Sequence, residues 1–527
     1  MSKPPNFLLF VTDQHRADHL GCYGSRILST PGIDRIAAES CVFENFHVAT
    51  PLCQPNRASL MTSRMPSVHG VQMNGRELSF GELTFVDMLR ESGYRTALVG
   101  KAHLQNITEI PAAWPAPGEP RHKHESNRRF PGIYGQELWT RWDRDPEFDL
   151  ALPYYGFENV KLTVGHSDEQ YGHWRRWLRE QTNDAEQLIG PANAIPTPEF
   201  RLFDSRQAWR TRVPEDLYPT RYIADRCCDL LADYANGQKP FFMQCSFPDP
   251  HHPYTPPGRY WDLYKPEDID LPGSFGATLH DAPPPIAALR AAATAGMARK
   301  SGHGSFSASE REVREAIALN YGNIACIDDA LSRVHARLRQ LGLDDNTVIM
   351  FTSDHGDLLG DRGLMLKGGL HYRSLTRVPF IWRDTRDRRK GRRSNALAQT
   401  IDIASTVLER AGLDPANGMQ GRSLLSQTAG TAGPVRSNIV IEEEGQRRDF
   451  GLAHRLRIRS LVTEHYRLSI YAEEAWGELY DLVADPLELR NLWNQPSAGS
   501  IRAELTEALA LSMLNLAESS PYPQFSA

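Results

Sequence analysis

Four short stretches of the chain, residues 7–12, 95–99, 240–246 and 347–353, are apolar at nearly every position and rich in β-forming residues. Such runs lack the alternation of a half-exposed strand and predict strands covered on both faces, as in a parallel sheet. Residues 83–92 and 310–341, lying between them, carry helical periodicity. Strands alternating with helices predict an α/β architecture: a large, mostly parallel sheet with helices on both faces. After about residue 430 the pattern changes, and 437–443, 456–463 and 466–471 read as antiparallel strands. The expected division is a large α/β domain over 1–430 and a small C-terminal α+β domain over 431–527.

Two stretches interrupt the pattern. Residues 105–217 are rich in Pro, Trp, Arg and Tyr without a clean period, and 280–306 contain Pro283-Pro284-Pro285 followed by Ala- and Gly-rich sequence. Long irregular insertions in compact domains are commonly functional or mobile. The first is expected to wall a pocket and the second to form a loop or lid.

The polar residues that follow the apolar runs carry most of the candidate chemistry. The four runs end at Asp13-Gln14, Gly100-Lys101-Ala102-His103, Pro248-Asp249-Pro250-His251 and Asp354-His355-Gly356-Asp357. Ligands of open α/β sheets bind beyond the carboxyl ends of the strands, so these four groups are expected to meet.

Composition narrows the class. A hydrophobic fraction of 40% and a charged fraction of 24% are ordinary for a globular protein, and a net charge of −6 argues against nucleic acid or an anionic membrane as partner. No run approaches the ~20 apolar residues of a membrane span. The seven cysteines follow no disulfide or zinc spacing, and the apolar run near the N-terminus is too short for a signal peptide, so a cytoplasmic location is expected.

Cys53 is the most informative residue. In Cys53-Gln54-Pro55-Asn56-Arg57-Ala58-Ser59-Leu60, Pro55 suits a first helical turn, which places Cys53 at the positive helix end with Arg57 one turn on. This Cys53-x-Pro55-x-Arg57 run, followed by Ala58-Ser59-Leu60-Met61-Thr62, resembles the signature of the formylglycine-dependent sulfatases of the alkaline phosphatase superfamily. Gly100-Lys101-Ala102-His103-Leu104, Pro250-His251-His252-Pro253 and Lys367 ahead of Arg377-Val378-Pro379 resemble further family motifs, as does the run from Leu479-Tyr480-Asp481-Leu482 to Asn491-Leu492.

The resemblance implies a sulfuric ester hydrolase. It implies that a formylglycine-generating enzyme oxidises Cys53 and that the hydrated aldehyde is the nucleophile. One hydroxyl would attack sulfur, and the second would let the aldehyde reform and expel sulfate. Asp13, Gln14, Asp354 and His355, with residue 53, match the positions that hold one divalent metal ion. Gln14 and His355 replace the Asp and Asn of the familiar pattern, so Ca²⁺ is the first expectation and Mn²⁺ a rival, since imidazole suits transition metals better. Arg57, Lys101 and Lys367 are the expected anion cradle. His103 and His251 are the expected proton-transfer groups, with His252 as the ambiguous neighbour of His251. The expected substrate is a small-molecule or saccharide sulfate ester. The Asp-Gln and Asp-His pairs also resemble phosphonate monoester and phosphodiester hydrolases, which leaves that activity as an alternative. A non-catalytic anion binder with unmodified Cys53 is the third reading. The polar tail 519–527 is a candidate contact for a homo-oligomer.

Overall fold

The apolar runs line up as neighbouring strands. In a computed structural model of the chain, which describes residues 3–115, 119–120, 122–127, 129–387, 389–431, 433–448 and 450–525, a nine-stranded sheet forms the centre. Its strands are β1 (Asn6–Thr12), β2 (Cys41–Phe43), β3 (Arg95–Gly100), β4 (Asn159–Val164), β5 (Tyr171–Gly172), β6 (Phe241–Ser246), β7 (Thr347–Ser353), β8 (Phe380–Arg383) and β9 (Arg392–Ser394). They are ordered β9-β2-β8-β7-β1-β6-β3-β4-β5. The five strands β7, β1, β6, β3 and β4 run parallel. β8 is antiparallel to both β7 and β2, and β5 is antiparallel to β4.

Each parallel strand feeds two cores, because successive side chains point to opposite faces. Leu8 and Phe10 of β1 join one cluster with Ile223 and Leu231 of α3 (Pro219–Ala235) and Ile324 and Leu331 of α5 (Glu310–Gln340). Phe7, Leu9 and Val11 join the other, with Leu60 of α1 (Cys53–Thr62), Phe85 of α2 (Phe85–Glu91) and Val407 of α6 (Asp402–Ala411). Burial of such side chains is worth about 1.5–3 kcal/mol each, so helices on both faces are the stable solution for a sheet this apolar. α5 starts where Ser309 and Glu312 cap one another reciprocally.

Register places the site. Thr12 pairs with Ser353, Val11 with Ser246, and Gly100 with Ser246. The parallel strands therefore end level, and Asp13, Lys101 and Asp354 emerge side by side. Gly100 is required here: a Cβ on it would lie 1.8 Å from the Ser246 carbonyl oxygen, and its φ is +106°.

A separate four-stranded antiparallel sheet, β10 (Asn438–Glu444), β11 (Arg457–Thr463), β12 (Tyr466–Tyr471) and β13 (Gly477–Asp481), packs against α7 (Gly499–Asn515). Val440, Leu461 and Leu468 meet Leu505 and Leu509 there, and Ala49, Met65 and Ile401 of the large domain complete the cluster.

Three sequence expectations are corrected. The 105–217 insertion is not only irregular: it supplies β4, a fifth parallel strand, and β5. The 280–306 segment is not only a loop, since α4 (Pro284–Thr294) occupies much of it. α3 is a helix beyond those the pattern predicts, and it covers the sheet beside α5. Trp142 and Trp174 of the insertion are buried in the cores. Of the 519–527 tail, residues 526 and 527 lie outside the described residues, while Ser519 and Ser520 pack beside Asn417 and Gly418 of the same chain.

Candidate active site

Cys53 is the first residue of α1 and is 2% exposed. Its Sγ lies 3.1 Å from His355 Nε2, 3.8 Å from Asp13 Oδ1 and 2.8 Å from Lys367 Nζ. The strand ends and the helix start thus converge as the sequence predicts. Asp13, Cys53, Asp354 and His355 offer ligand atoms that all lie within 4.8 Å of one another.

Two observations test whether this set suits a cation. His355 Nδ1 donates to the Gly356 carbonyl at 2.8 Å, so the Nε2 lone pair faces the cluster, the tautomer that metal ligation requires. Gln14 spends its amide N–H on Asp357 and lies 3.0 Å from His252 Nδ1. Its Oε1 stays buried without a donor among the described residues. A buried carbonyl oxygen without a partner is costly unless something positive meets it. Two carboxylates, one amide oxygen and one imidazole fit a divalent cation.

The cations are placed by the same strand ends. Arg57 Nε donates to Asp354 at 2.7 Å, and its Nη1 donates to the Lys101 carbonyl at 3.0 Å and Ser246 Oγ at 2.9 Å. Lys101 pairs with Asp13. Lys367 Nζ reaches His355 Nε2 at 2.6 Å and His251 Nε2 at 3.4 Å. The loop that carries Lys367 is braced by the small domain: the N–H of Gly369 donates to Glu443 at 2.7 Å.

Electrostatics follow from this packing. Burial would raise the Asp13 carboxyl, but Lys101, His251, His166 and Arg57 hold it well below the usual carboxylate range. Burial and Asp13 push the Cys53 thiol up, while Lys367, His355 and Lys101 pull it down, and the net result is a thiol more acidic than usual. His251 and His103 are driven well below the ordinary imidazole value, first by burial and then by neighbouring cations and imidazoles. Both are neutral at pH 7. His251 Nδ1 donates to the His252 carbonyl, which leaves Nε2 as the proton acceptor beside Lys367. His103 has φ +55°, and its Nδ1 is buried with no partner among the described residues.

The site also holds groups that the motifs did not point to. His166 follows the end of β4 by two residues, stacks on His251 (ring centres 3.8 Å apart, 11° between planes) and accepts from Lys101 Nζ at 2.7 Å. The available signal was the alternating run Val160-Lys161-Leu162-Thr163-Val164 with Gly165-His166 behind it. Glu137 accepts the backbone N–H groups of His103, Leu104 and Gln105 at 2.7–2.8 Å and so fixes the His103 turn. Asp357 accepts from Gln14 and from the N–H groups of Leu359 and Leu366. His303 lies at the mouth, 3.0 Å from His252 Nε2.

The ends of the parallel strands thus gather Cys53 at the first position of α1, the side chains of Asp13, Asp354 and His355, and the cations Arg57, Lys101 and Lys367. The "Sulfatase" family model matches residues 5–413, and the "N-sulphoglucosamine sulphohydrolase, C-terminal" model matches residues 360–514. The chain belongs to the sulfatase family, and the reaction class is sulfuric ester hydrolysis. It is 26% identical over 501 residues to an arylsulfatase of Clostridium perfringens, covering 93% of this chain and 90% of that one. It is 29% identical over 539 residues to the multifunctional alkaline phosphatase superfamily protein PehA of Trinickia caryophylli, covering 96% and 94%. The crystal structure of the phosphonate monoester hydrolase of Agrobacterium radiobacter shares the fold, with a TM-score of 0.76 and 24% identity over 98% of this chain and 96% of that one.

Proposed function

We propose that this protein hydrolyses sulfate monoesters with a formylglycine made from Cys53 by a formylglycine-generating enzyme. The observation that carries this is the position of Cys53 Sγ, held by Lys367 within the Asp13, Asp354 and His355 set. That sulfur stands where the oxygen of the oxidised side chain would be. Hydrated formylglycine supplies two hydroxyls on one carbon, one to displace the alcohol from sulfur and one to expel sulfate afterwards.

A divalent ion held by Asp13, Gln14, Asp354, His355 and residue 53 would supply Lewis acidity. We favour Ca²⁺, with Mn²⁺ as the rival because of His355. The chain's own residues do the rest. Lys101, Lys367 and Arg57 are fixed before substrate arrives, so they oppose developing charge without reorganising. His251 Nε2 faces the cluster as an acceptor, and a bound sulfate anion nearby raises its basicity. It can then hold the proton that the departing alcohol requires. His103, whose Nδ1 has no partner among the described residues, is the second candidate to carry that proton.

Turnover of an aryl sulfate, phenyl phosphonate and an aryl phosphodiester tests this reading. The sulfate is expected to be the best substrate, and Cys53→Ala is expected to abolish its turnover. Preference for phosphonate or diester would move the assignment to the alternative that Gln14 and His355 allow.

A further inference from the structure

Gln14 is held at both its backbone and its amide. Its φ of +59° lies in the left-handed region that few residues other than glycine adopt, and its N–H donates to Asp354 Oδ1 at 3.2 Å. The side chain ends between two acceptors. Asp357 only accepts there: its Oδ1 takes the N–H groups of Leu359 and Leu366, both at 2.9 Å, and its Oδ2 takes the Tyr254 hydroxyl at 3.4 Å. The group that Gln14 turns to this carboxylate is its NH2, which has two hydrogens to place. One goes to Asp357 Oδ2 and the other to His252 Nδ1 at 3.0 Å.

That second contact fixes the His252 ring. An Nδ1 that accepts leaves the proton of a neutral imidazole on Nε2. Nε2 lies 3.0 Å from Nδ1 of His303, the acceptor that this tautomer needs. The opposite tautomer would set N–H against N–H at Gln14. His252 is buried and stacks on His251, with ring centres 4.2 Å apart and 22° between planes, so its ring has little room to turn. The two adjacent histidines thus face different partners. His251 Nε2 lies 3.4 Å from Lys367 Nζ, while His252 backs Gln14. With both amide hydrogens taken, the amide atom left for a cation is Oε1, which is buried and without a donor among the described residues.

We propose that His252 is a positioning residue, which locks the Gln14 amide so that its oxygen, not its NH2, serves the cation set of Asp13, Asp354 and His355. Unlike the carboxylates, an amide can turn the wrong way. Asp13 and Asp354 present an oxygen in either orientation. A half-turn of Gln14 would offer N–H donors to a cation and an oxygen to the Asp357 carboxylate. Asp357 opposes that turn on one side and His252 on the other. The role rests on the same cation set as the proposed function and adds a task for His252 that is separate from proton transfer at His251.

Calorimetric titration of the metal-stripped full-length protein with calcium chloride and with manganese chloride tests it. His252→Phe keeps a stacked ring and removes the Nδ1 acceptor. It should weaken binding of the ion by about 10–100-fold, the usual cost of losing an outer partner of a metal ligand. His252→Asn, whose amide oxygen takes the place of Nδ1, should recover most of that loss. In a Gln14→Ala background, His252→Phe should cost nothing further, because His252 acts through the Gln14 amide. Circular dichroism checks the folding of each variant. If the Phe variant does not fold, His252→Gln, which keeps a polar group toward His303 but none at the Nδ1 position, should show the same loss. Binding as tight as wild type in the variants without the acceptor, no recovery in His252→Asn, or a full loss persisting in the Gln14→Ala background overturns the positioning role alone. Wild-type protein that binds neither ion, or whose binding Gln14→Ala leaves unchanged, overturns the cation set itself and the positioning role with it.

Discussion

Lys367 Nζ lies 2.8 Å from Cys53 Sγ although 314 residues separate them in the chain. The contact is made by two elements of different origin, the start of α1 and a loop braced by Glu443 of the small domain. It brings a fixed positive charge onto residue 53 from outside the parallel sheet. Lys367→Ala should lower kcat/KM for an aryl sulfate by about 10²–10³, the usual cost of one preorganised charge donor. Initial rates, with circular dichroism as a check on folding, read this directly.

Arg57 makes three directional contacts at once, to Asp354, to the Lys101 carbonyl and to Ser246 Oγ. Lysine carries the charge but not the fork. Arg57→Lys should therefore keep the charge but leave buried acceptors without their donors, costing about 1–3 kcal/mol in denaturant unfolding. Activity should fall as well, because Asp354 loses its fixed partner.

His166 accepts from Lys101 and stacks on His251, and burial followed by Lys101 pushes its imidazole down to about 3. It is a neutral positioning residue in the neutral range. His166→Phe keeps the stacked ring and removes the acceptor, and should reduce kcat by about tenfold, the worth of one charged hydrogen bond. His166→Gln, which restores an acceptor, should recover part of that loss. Equal losses in both variants would indicate packing alone.

Asp168 is fully buried and its carboxyl is raised to about 6, chiefly by burial, against hydrogen bonds from Thr211, Trp209 and Gly190. A raised carboxyl penalises the folded state when ionised, so the penalty is present above about pH 6 and fades as pH falls toward the unfolded value near 4. Asp168→Asn cannot ionise. Its melting temperature relative to that of the wild type should be higher at about pH 8 than at about pH 4.5, since each tenfold change in proton affinity is worth about 1.4 kcal/mol. A difference that does not change with pH would refute the assignment.

The parts of this fold that are legible in the sequence are those where local pattern and tertiary environment agree. β1, β3, β6 and β7 are apolar because both faces are covered, and that alone marks them. Their ends mark the site, which is why Asp13, Lys101, His251 and Asp354 stand out. β4 is hidden because its Lys161 and Thr163 read as polar alternation inside an aromatic, Arg-rich stretch. His166 is lost with it. Glu137 carries no motif at all, since its role is to accept three backbone N–H groups from a turn 32–34 residues away in sequence. Contacts of that kind leave no periodic trace.

The central claim concerns what residue 53 is in the working enzyme. The tryptic peptide spanning residues 36–57 holds Cys53 together with Cys41, and its mass in active protein from the native host decides the matter. A peptide lighter than its sequence mass by the exchange of sulfur and two hydrogens for one oxygen, localised to position 53 by fragmentation, is the predicted result. Full sulfatase activity from protein in which that peptide carries an intact thiol at position 53 would contradict the account.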